Sequence, residues 1–335
     1  MKVFGTRFLT LVASLLVAAL HTSFAATPQF FIPKGTSLQQ PQEQLEQAFK
    51  DAVTLARVTA SLFDACEPAY TRYFRAIDAV FVKNVFRTVA SIPFGSNLDA
   101  DTIIDVLSSS PVHDLQPKFE KLEIALGNNP SVPRSKQACG KQFGGGTAFA
   151  YSYIDPAALG PVALVSLCED TFLFPTLDQI ENPPPEKKDG QGKPLPGFTC
   201  DGLGDHDTDW MTTPGGILLH EMIHWTYLLE DVPNYDDIID ENDDGFPQIA
   251  DFGGPDPPDG YGPYNTMQLR QKKAAETIQN ADSYIWYAQS KYWSWKCQKT
   301  MGPAVDETDD EKRLGNRGVQ VPPESGADEH SKNHE

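Results

Sequence analysis

Basic residues are scarce in this 335-residue sequence: 27 Lys and Arg stand against 46 Asp and Glu, for a formal net charge of -19. A surface of that sign repels phosphate backbones, which excludes nucleic-acid binding as a function class. Beyond residue 25 no apolar run approaches the roughly 20 residues needed to span a bilayer. The cysteines are Cys66, Cys139, Cys168, Cys200 and Cys297, and no two form a CxxC pair. A thiolate-ligated zinc site is therefore not expected. There is also no Asn-x-Ser/Thr sequon, so N-glycosylation is not expected either.

The first 25 residues have a different character. Lys2 and Arg7 make a short basic head, Phe8 to Leu20 is almost wholly apolar, and Ser23-Phe24-Ala25 ends the run with small residues at the cleavage positions. This is the layout of a secretory signal peptide cut after Ala25, and it implies a secreted, extracellular protein. In an oxidising compartment five cysteines predict two disulfides and one leftover thiol. Cys168 with Cys200 is the favoured pair, because the two bracket one long loop. Hydrophobic residues make up 40% of the chain, enough to bury a core.

Leu45, Phe49, Val53, Ala56, Ala60 and Phe63 recur at helical spacing over 42–63. Tyr70, Tyr73, Phe74, Ile77, Val80, Phe81 and Val85 repeat the pattern over 69–87, so two amphipathic helices are expected to pack together. Shorter helices are predicted near 99–108 and 115–126. After Gly144-Gly145-Gly146 come two β-like runs, 148–154 and 162–168, and then a proline-rich exposed loop from Pro183 to Pro196. The organisation read from these shifts is a signal peptide (1–25), an N-terminal helical part (26–140), a second part carrying the chemistry (141–300) and a charged, disordered tail (301–335). The fold class expected is α+β, with a small twisted sheet.

The segment TTPGGILLHEMIHWTYLL (212–229) is the strongest signal in the chain. Thr213 fits a helix N-cap and Pro214 the first helical position, where the missing N–H costs nothing. Within the predicted helix, His220 and His224 stand four residues apart on one face and can reach one ion, which points to Zn2+. Glu221 adjoins the first ligand without being one, the position of a general base for water that zinc activates. Two incidental histidines on a surface helix are the bland alternative. The apolar flanks argue against it, because buried imidazoles need partners.

A catalytic zinc takes three protein ligands and keeps one position open. After His224 the only histidines are His330 and His334 in the tail, so the third ligand should be a carboxylate. Residues 230–259 hold eleven Asp or Glu and no Lys or Arg. At this point the sequence resembles the aspzincins, the deuterolysin and peptidyl-Lys metallopeptidase family of secreted, typically fungal enzymes. The resemblance is carried by HEMIH (220–224), Tyr261-Gly262, NADSYIWYA (280–288) and the run VALVSLCEDTFLF (162–174), and covers roughly 140–297. It implies a zincin-like α+β fold and an aspartate as third zinc ligand.

Pro258 stands where the family pattern places that aspartate, which leaves Asp251 and Asp259. Asp251 is preferred: it follows an apolar residue able to anchor it inside, whereas Pro258-Asp259-Gly260 reads as a turn. Glu276 ranks third, as a glutamate supplied by a later helix. Asp240-Glu241-Asn242-Asp243-Asp244-Gly245 also matches the opening of an EF-hand loop, with Asp251 on its twelfth position, so Ca2+ at Asp240–Asp251 competes for Asp251. Ala274, Ile278, Ala281, Ile285 and Ala288 predict one core helix over 267–290. By the resemblance, Asp282 could accept the free N–H of a zinc-bound histidine. Tyr261 could donate to an oxyanion.

These readings together predict a secreted zinc metalloendopeptidase. Its substrate is a protein or peptide, with basic side chains suited to the acidic stretch. The rival is a secreted zinc-binding protein without turnover, such as a metal scavenger or surface antigen, and Glu221 is the residue that discriminates the two.

Overall fold

The structure is a computed structural model that describes residues 26–143, 146–155, 162–242 and 245–306. The expected signal peptide, the tail beyond residue 306 and residues 243–244 of the acidic loop lie outside the described residues. Among those described are eleven α-helices and a small mixed sheet. The helices are α1 (Pro41–Ser61), α2 (Pro68–Tyr73), α3 (Ala79–Val89), α4 (Ala100–Ser108), α5 (Leu177–Glu181), α6 (Thr199–Gly202), α7 (Pro214–Ile223), α8 (Thr226–Leu229), α9 (Tyr235–Ile238), α10 (Gly262–Lys272) and α11 (Ala281–Lys296). The strands are β1 (Gln29–Phe31), β2 (Leu122–Leu126), β3 (Gln142–Phe143), β4 (Gly146–Thr147), β5 (Ala150–Asp155) and β6 (Val162–Leu167). The main sheet has the order β1-β2-β6-β5, with β1, β2 and β6 parallel and β5 antiparallel at the edge.

The apolar stripe of α1 is fully buried from Leu45 through Ala60 and packs against α7, α3 and α11. Both expected parts thus feed one core, in which Phe49 and Val53 share a cluster with Leu218, Met222, Tyr284 and Trp293. Aromatic rings fill its centre: Phe74 meets Tyr284 edge-on at 4.9 Å, and Tyr70 meets Tyr287 at 5.4 Å. Such contacts add roughly 0.5–1.5 kcal/mol each to the burial itself.

Three expected helices are broken or replaced. The stripe over 69–87 divides because Phe74 is extended (φ -134°, ψ 159°), which turns its ring into the core and leaves Ile77 and Val80 83% and 72% exposed. Residues 115–126 become a 3-10 turn (Pro117–Lys121) followed by β2. β2 lies between β1 and β6 with Leu122, Ile124 and Leu126 in the core and Glu123 half-buried, and its five residues are too few for periodicity to separate strand from helix. The helix expected over 267–290 is α10, a 3-10 turn and α11, separated at the extended residue Asn280 (φ -106°, ψ 116°).

The expected Cys168–Cys200 bridge is also overturned. Cys139 pairs with Cys168, Cys200 pairs with Cys297, and the exposed Cys66 is the free thiol. Cys168 follows β6, and the loop after β2 returns beside it with Cys139. Cys297 caps α11 and meets Cys200 in α6. The packed chain also runs past residue 301: Met301 and Ala304 are buried, and Arg72 donates to the Met301 carbonyl. Two disulfides fit an extracellular protein, and among the described residues no helix is long and apolar enough to cross a membrane.

Asp51 on α1 is a buried carboxylate that takes hydrogen bonds from the Leu177 N–H (3.0 Å) and Gln47 (2.8 Å). Burial outweighs these bonds and pushes its pKa from 3.8 to about 6. The folded state therefore binds a proton that the unfolded state has lost, and stability falls as pH rises through that window. The difference corresponds to at most about 3 kcal/mol. Chemical denaturation of metal-free protein at pH 4.5 and 7.5 should show wild type losing stability on this account, and Asp51→Asn losing measurably less. An equal loss in both would remove the assignment.

Candidate metal centre

The site begins at the capped start of α7. The Thr213 hydroxyl accepts from the Gly216 N–H at 3.0 Å, and Pro214 takes the first turn, as the sequence predicts. The helix is shorter than expected: it stops at Ile223, with His224 as its C-cap, and α8 starts at Thr226. His220 and His224 still share one face, with ring centroids 4.7 Å apart. Both are buried, as is Glu221.

Each imidazole is held from behind by a group that cannot donate. His220 Nδ1 lies 2.7 Å from Asp282 Oδ1, and His224 Nδ1 lies 2.7 Å from the Ile249 carbonyl oxygen. In the neutral imidazoles both Nδ1 atoms must therefore carry the hydrogen, and both Nε2 atoms present lone pairs. These face one another at 3.0 Å. Asp251 completes the group, with Oδ1 3.1 Å from His220 Nε2 and Oδ2 3.4 Å from His224 Nε2. Ligands at about 2.0–2.1 Å from a tetrahedral zinc stand about 3.3 Å from each other. His220, His224 and Asp251 thus fit a single metal ion.

The other candidates lie elsewhere. Asp259 is buried but accepts from the Tyr261 N–H (3.0 Å) and from Asn265 (2.9 Å), so it shapes the turn before α10. Glu276 is exposed on the 3-10 turn Glu276–Gln279 and belongs to no group of converging ligands among the described residues. In the acidic loop the Asn242 side chain bonds Gln248 and the Phe246 N–H, while Asp251 faces the two imidazoles.

Electrostatics follow from this geometry. Desolvation lowers the basicity of His220, but Asp251 and Asp282 outweigh it and raise its pKa well above 6.5. His224 is raised by Asp251 against the same desolvation. Desolvation works against the Asp251 carboxylate, yet the two imidazoles hold its pKa well below 3.8. Burial raises Glu221 against the pull of both imidazoles. Its carboxylate takes a hydrogen bond from Ser152 on β5. Ser152 is the one polar residue among Ala150, Ser152 and Ile154, which turn toward the helices, and that alternation was the available signal. The Tyr261 ring stacks on His220 at 5.9 Å. Desolvation and Asp251 keep its phenol well above 10, hence protonated.

Asp282 does more than hold His220. Its Oδ2 accepts from the Gly262 N–H (2.8 Å) and from Trp286 Nε1 (3.2 Å). Gly262 has φ +77°, a conformation in which a side chain is strained. The Tyr-Gly pair thus joins a residue stacked on a ligand to one whose amide reaches that ligand's support. No protein-family model matches the chain, and no curated protein matches it.

Two outcomes follow from the arrangement. Asp282→Asn must present its amide N–H to a donor already there, and chelator competition should show metal affinity falling about 10–100-fold. Unchanged affinity would remove the role assigned to Asp282. Protonation of the imidazoles, favoured by the raised pKa of His220 and His224, also competes with metal for the site. Calorimetry in buffers of different ionisation enthalpy should then register proton release on binding, which proton-neutral binding would contradict.

Proposed function

We propose that the chain is a secreted zinc-dependent endopeptidase of the aspzincin type, hydrolysing peptide bonds with Glu221 as general base. The observation that carries the reading is a buried carboxylate, Glu221, set beside a two-histidine, one-aspartate group whose lone pairs converge. The resemblance of HEMIH, Tyr261-Gly262 and NADSY to the aspzincin pattern supports it, with Asp251 in the place of that family's third ligand. The two-nitrogen, one-oxygen donor set suits zinc. Bound zinc would supply Lewis acidity, polarising a peptide carbonyl and acidifying water.

The chain's own groups supply the rest. The raised pKa of Glu221 places it nearer neutrality, where a carboxylate both takes and returns a proton. Ser152 and the helix backbone hold it beside the metal group, so it can accept the proton of the attacking water and deliver it to the leaving amine. Protonated Tyr261 is a donor at the rim, suited to the developing oxyanion. Asp282 and the Ile249 carbonyl keep both imidazoles in the ligating tautomer. The acidic stretch 230–259 favours basic peptides.

The test compares zinc-loaded wild type with Glu221→Gln on a mixed peptide library read by mass spectrometry. Glu221→Gln should keep its zinc and lose about 10²–10⁴-fold in cleavage rate. Zinc binding by both, with no cleavage by either from acid to neutral pH, would sink the peptidase reading and leave metal binding as the function.

A further inference from the structure

The third member of the metal group is the least secured by its own element. His220 and His224 ride on a capped helix, but Asp251 sits in an irregular segment with its side chain 32% exposed. The residues on either side of it are fixed from one place. Before it, the Ala250 N–H donates to the Gln279 carbonyl (2.8 Å), and the Ala250 carbonyl accepts from the Ala281 N–H (2.9 Å). After it, the Phe252 N–H donates to Asn280 Oδ1 (3.0 Å).

Asn280 is 1% exposed, and its other amide atom, Nδ2, donates to the Gly260 carbonyl (3.0 Å) and to Ser283 Oγ (3.2 Å). Gly260 in turn donates its N–H to the Phe252 carbonyl at 2.8 Å. The chain therefore leaves at Phe252, makes the excursion 253–259, and returns at Gly260 through a neck clamped by one side chain. Directly beyond the neck lies Tyr261. Gly260 has no side chain because there is no room for one: a Cβ would stand 2.5 Å from Asn280 Oδ1.

We infer that Asn280 is the positioning residue of the metal centre: its carboxamide latches the Phe252–Gly260 neck and so holds Asp251 against His220 and His224, and Tyr261 against His220. A carboxamide supplies both functions, since one end accepts an N–H while the other donates to a carbonyl. Its neighbour Asp282 faces the opposite side of the centre. One extended residue and the helix start that follows thus fix the aspartate ligand from one end and a histidine ligand from the other.

The inference rests on the His220–His224–Asp251 group holding a metal, and Co2+ is the probe. Metal-free wild type, Asn280→Ala, Gly260→Ala and the double variant are titrated with Co2+ and followed by visible absorption. Each single variant should bind about 10–100-fold more weakly, the range for losing a group that supports a ligand. Its bands should also shift toward those of Asp251→Ala. The double variant should bind no more weakly than Asn280→Ala alone, because the added methyl then has nothing to displace.

Full-strength Co2+ binding with an unchanged spectrum in folded Asn280→Ala, or additive losses in the double variant, would overturn the inference. If Asn280→Ala does not fold, Gly260→Ala, which keeps the carboxamide and displaces it, decides. Hydrogen exchange of the Phe252 amide in metal-free protein gives a second readout. Protection in wild type and loss of it in the variants supports the latch, and equal rates refute it. Wild type that takes up no Co2+ overturns the metal reading itself, while the amide exchange still decides whether Asn280 holds the neck.

Discussion

Three lone pairs meet at one point in this molecule, and the surrounding structure is arranged around that fact. Two imidazole nitrogens and a carboxylate stand within 3.0–3.4 Å of one another, and none of the three can donate while both Nδ1 hydrogens face acceptors. Left to itself such a cluster is repulsive, and only a cation or a captured proton relieves it. The attraction between protonated imidazole and the Asp251 carboxylate accounts for the raised histidines and the depressed aspartate. A metal ion satisfies all three groups at once, so the demand for a positive charge is built into the hydrogen bonds behind the ligands.

Those hydrogen bonds depend on distant packing. Helix α7 is fixed by α1 and α11, whose apolar faces close over it. The start of α11 then supplies Asn280 and Asp282, one turned to the ligand-bearing segment and the other to the helix. The far side of α11 is tied to the N-cap residue of α2, with Lys291 and Tyr287 both bonded to Glu67. Arg72 on α2 pairs with the buried Asp207, which also accepts from Tyr73. The edge strand β5 approaches from the opposite side and reaches Glu221 through Ser152. Four segments far apart in the sequence therefore meet at one small centre, and a shift in α11 would disturb a ligand and a ligand's support together.

Much of this was legible in residues whose meaning is local. The spacing of His220 and His224, the Thr213-Pro214 start, the stripe of α1 and the β-like runs at 148–154 and 162–168 need only the geometry of a single helix or strand. The failures have one cause. Ile77 and Val80 fit a helical stripe but lie past a break set by Phe74. The run at 122–126 reads as helix because five residues are too few to show a period, and its strand character comes from pairing with β1 and β6. The helix at 267–290 divides where Asn280 leaves helical geometry to reach the Phe252–Gly260 neck. In each case a tertiary contact outweighed a local pattern.

What the sequence by itself determined is the pair of histidines with the adjacent glutamate, the α+β character and a reserve of acidic residues downstream. Intervals of four residues on a helix and two on a strand are fixed by backbone geometry, whatever lies around them. Only the tertiary structure decided which aspartate turns to the histidines, which cysteines pair, and that Asp282 stands behind His220 and Ser152 beside Glu221. Those choices depend on where separate segments come to rest, which is set by core packing and by hydrogen bonds between groups as far apart in the chain as His220 and Asp282.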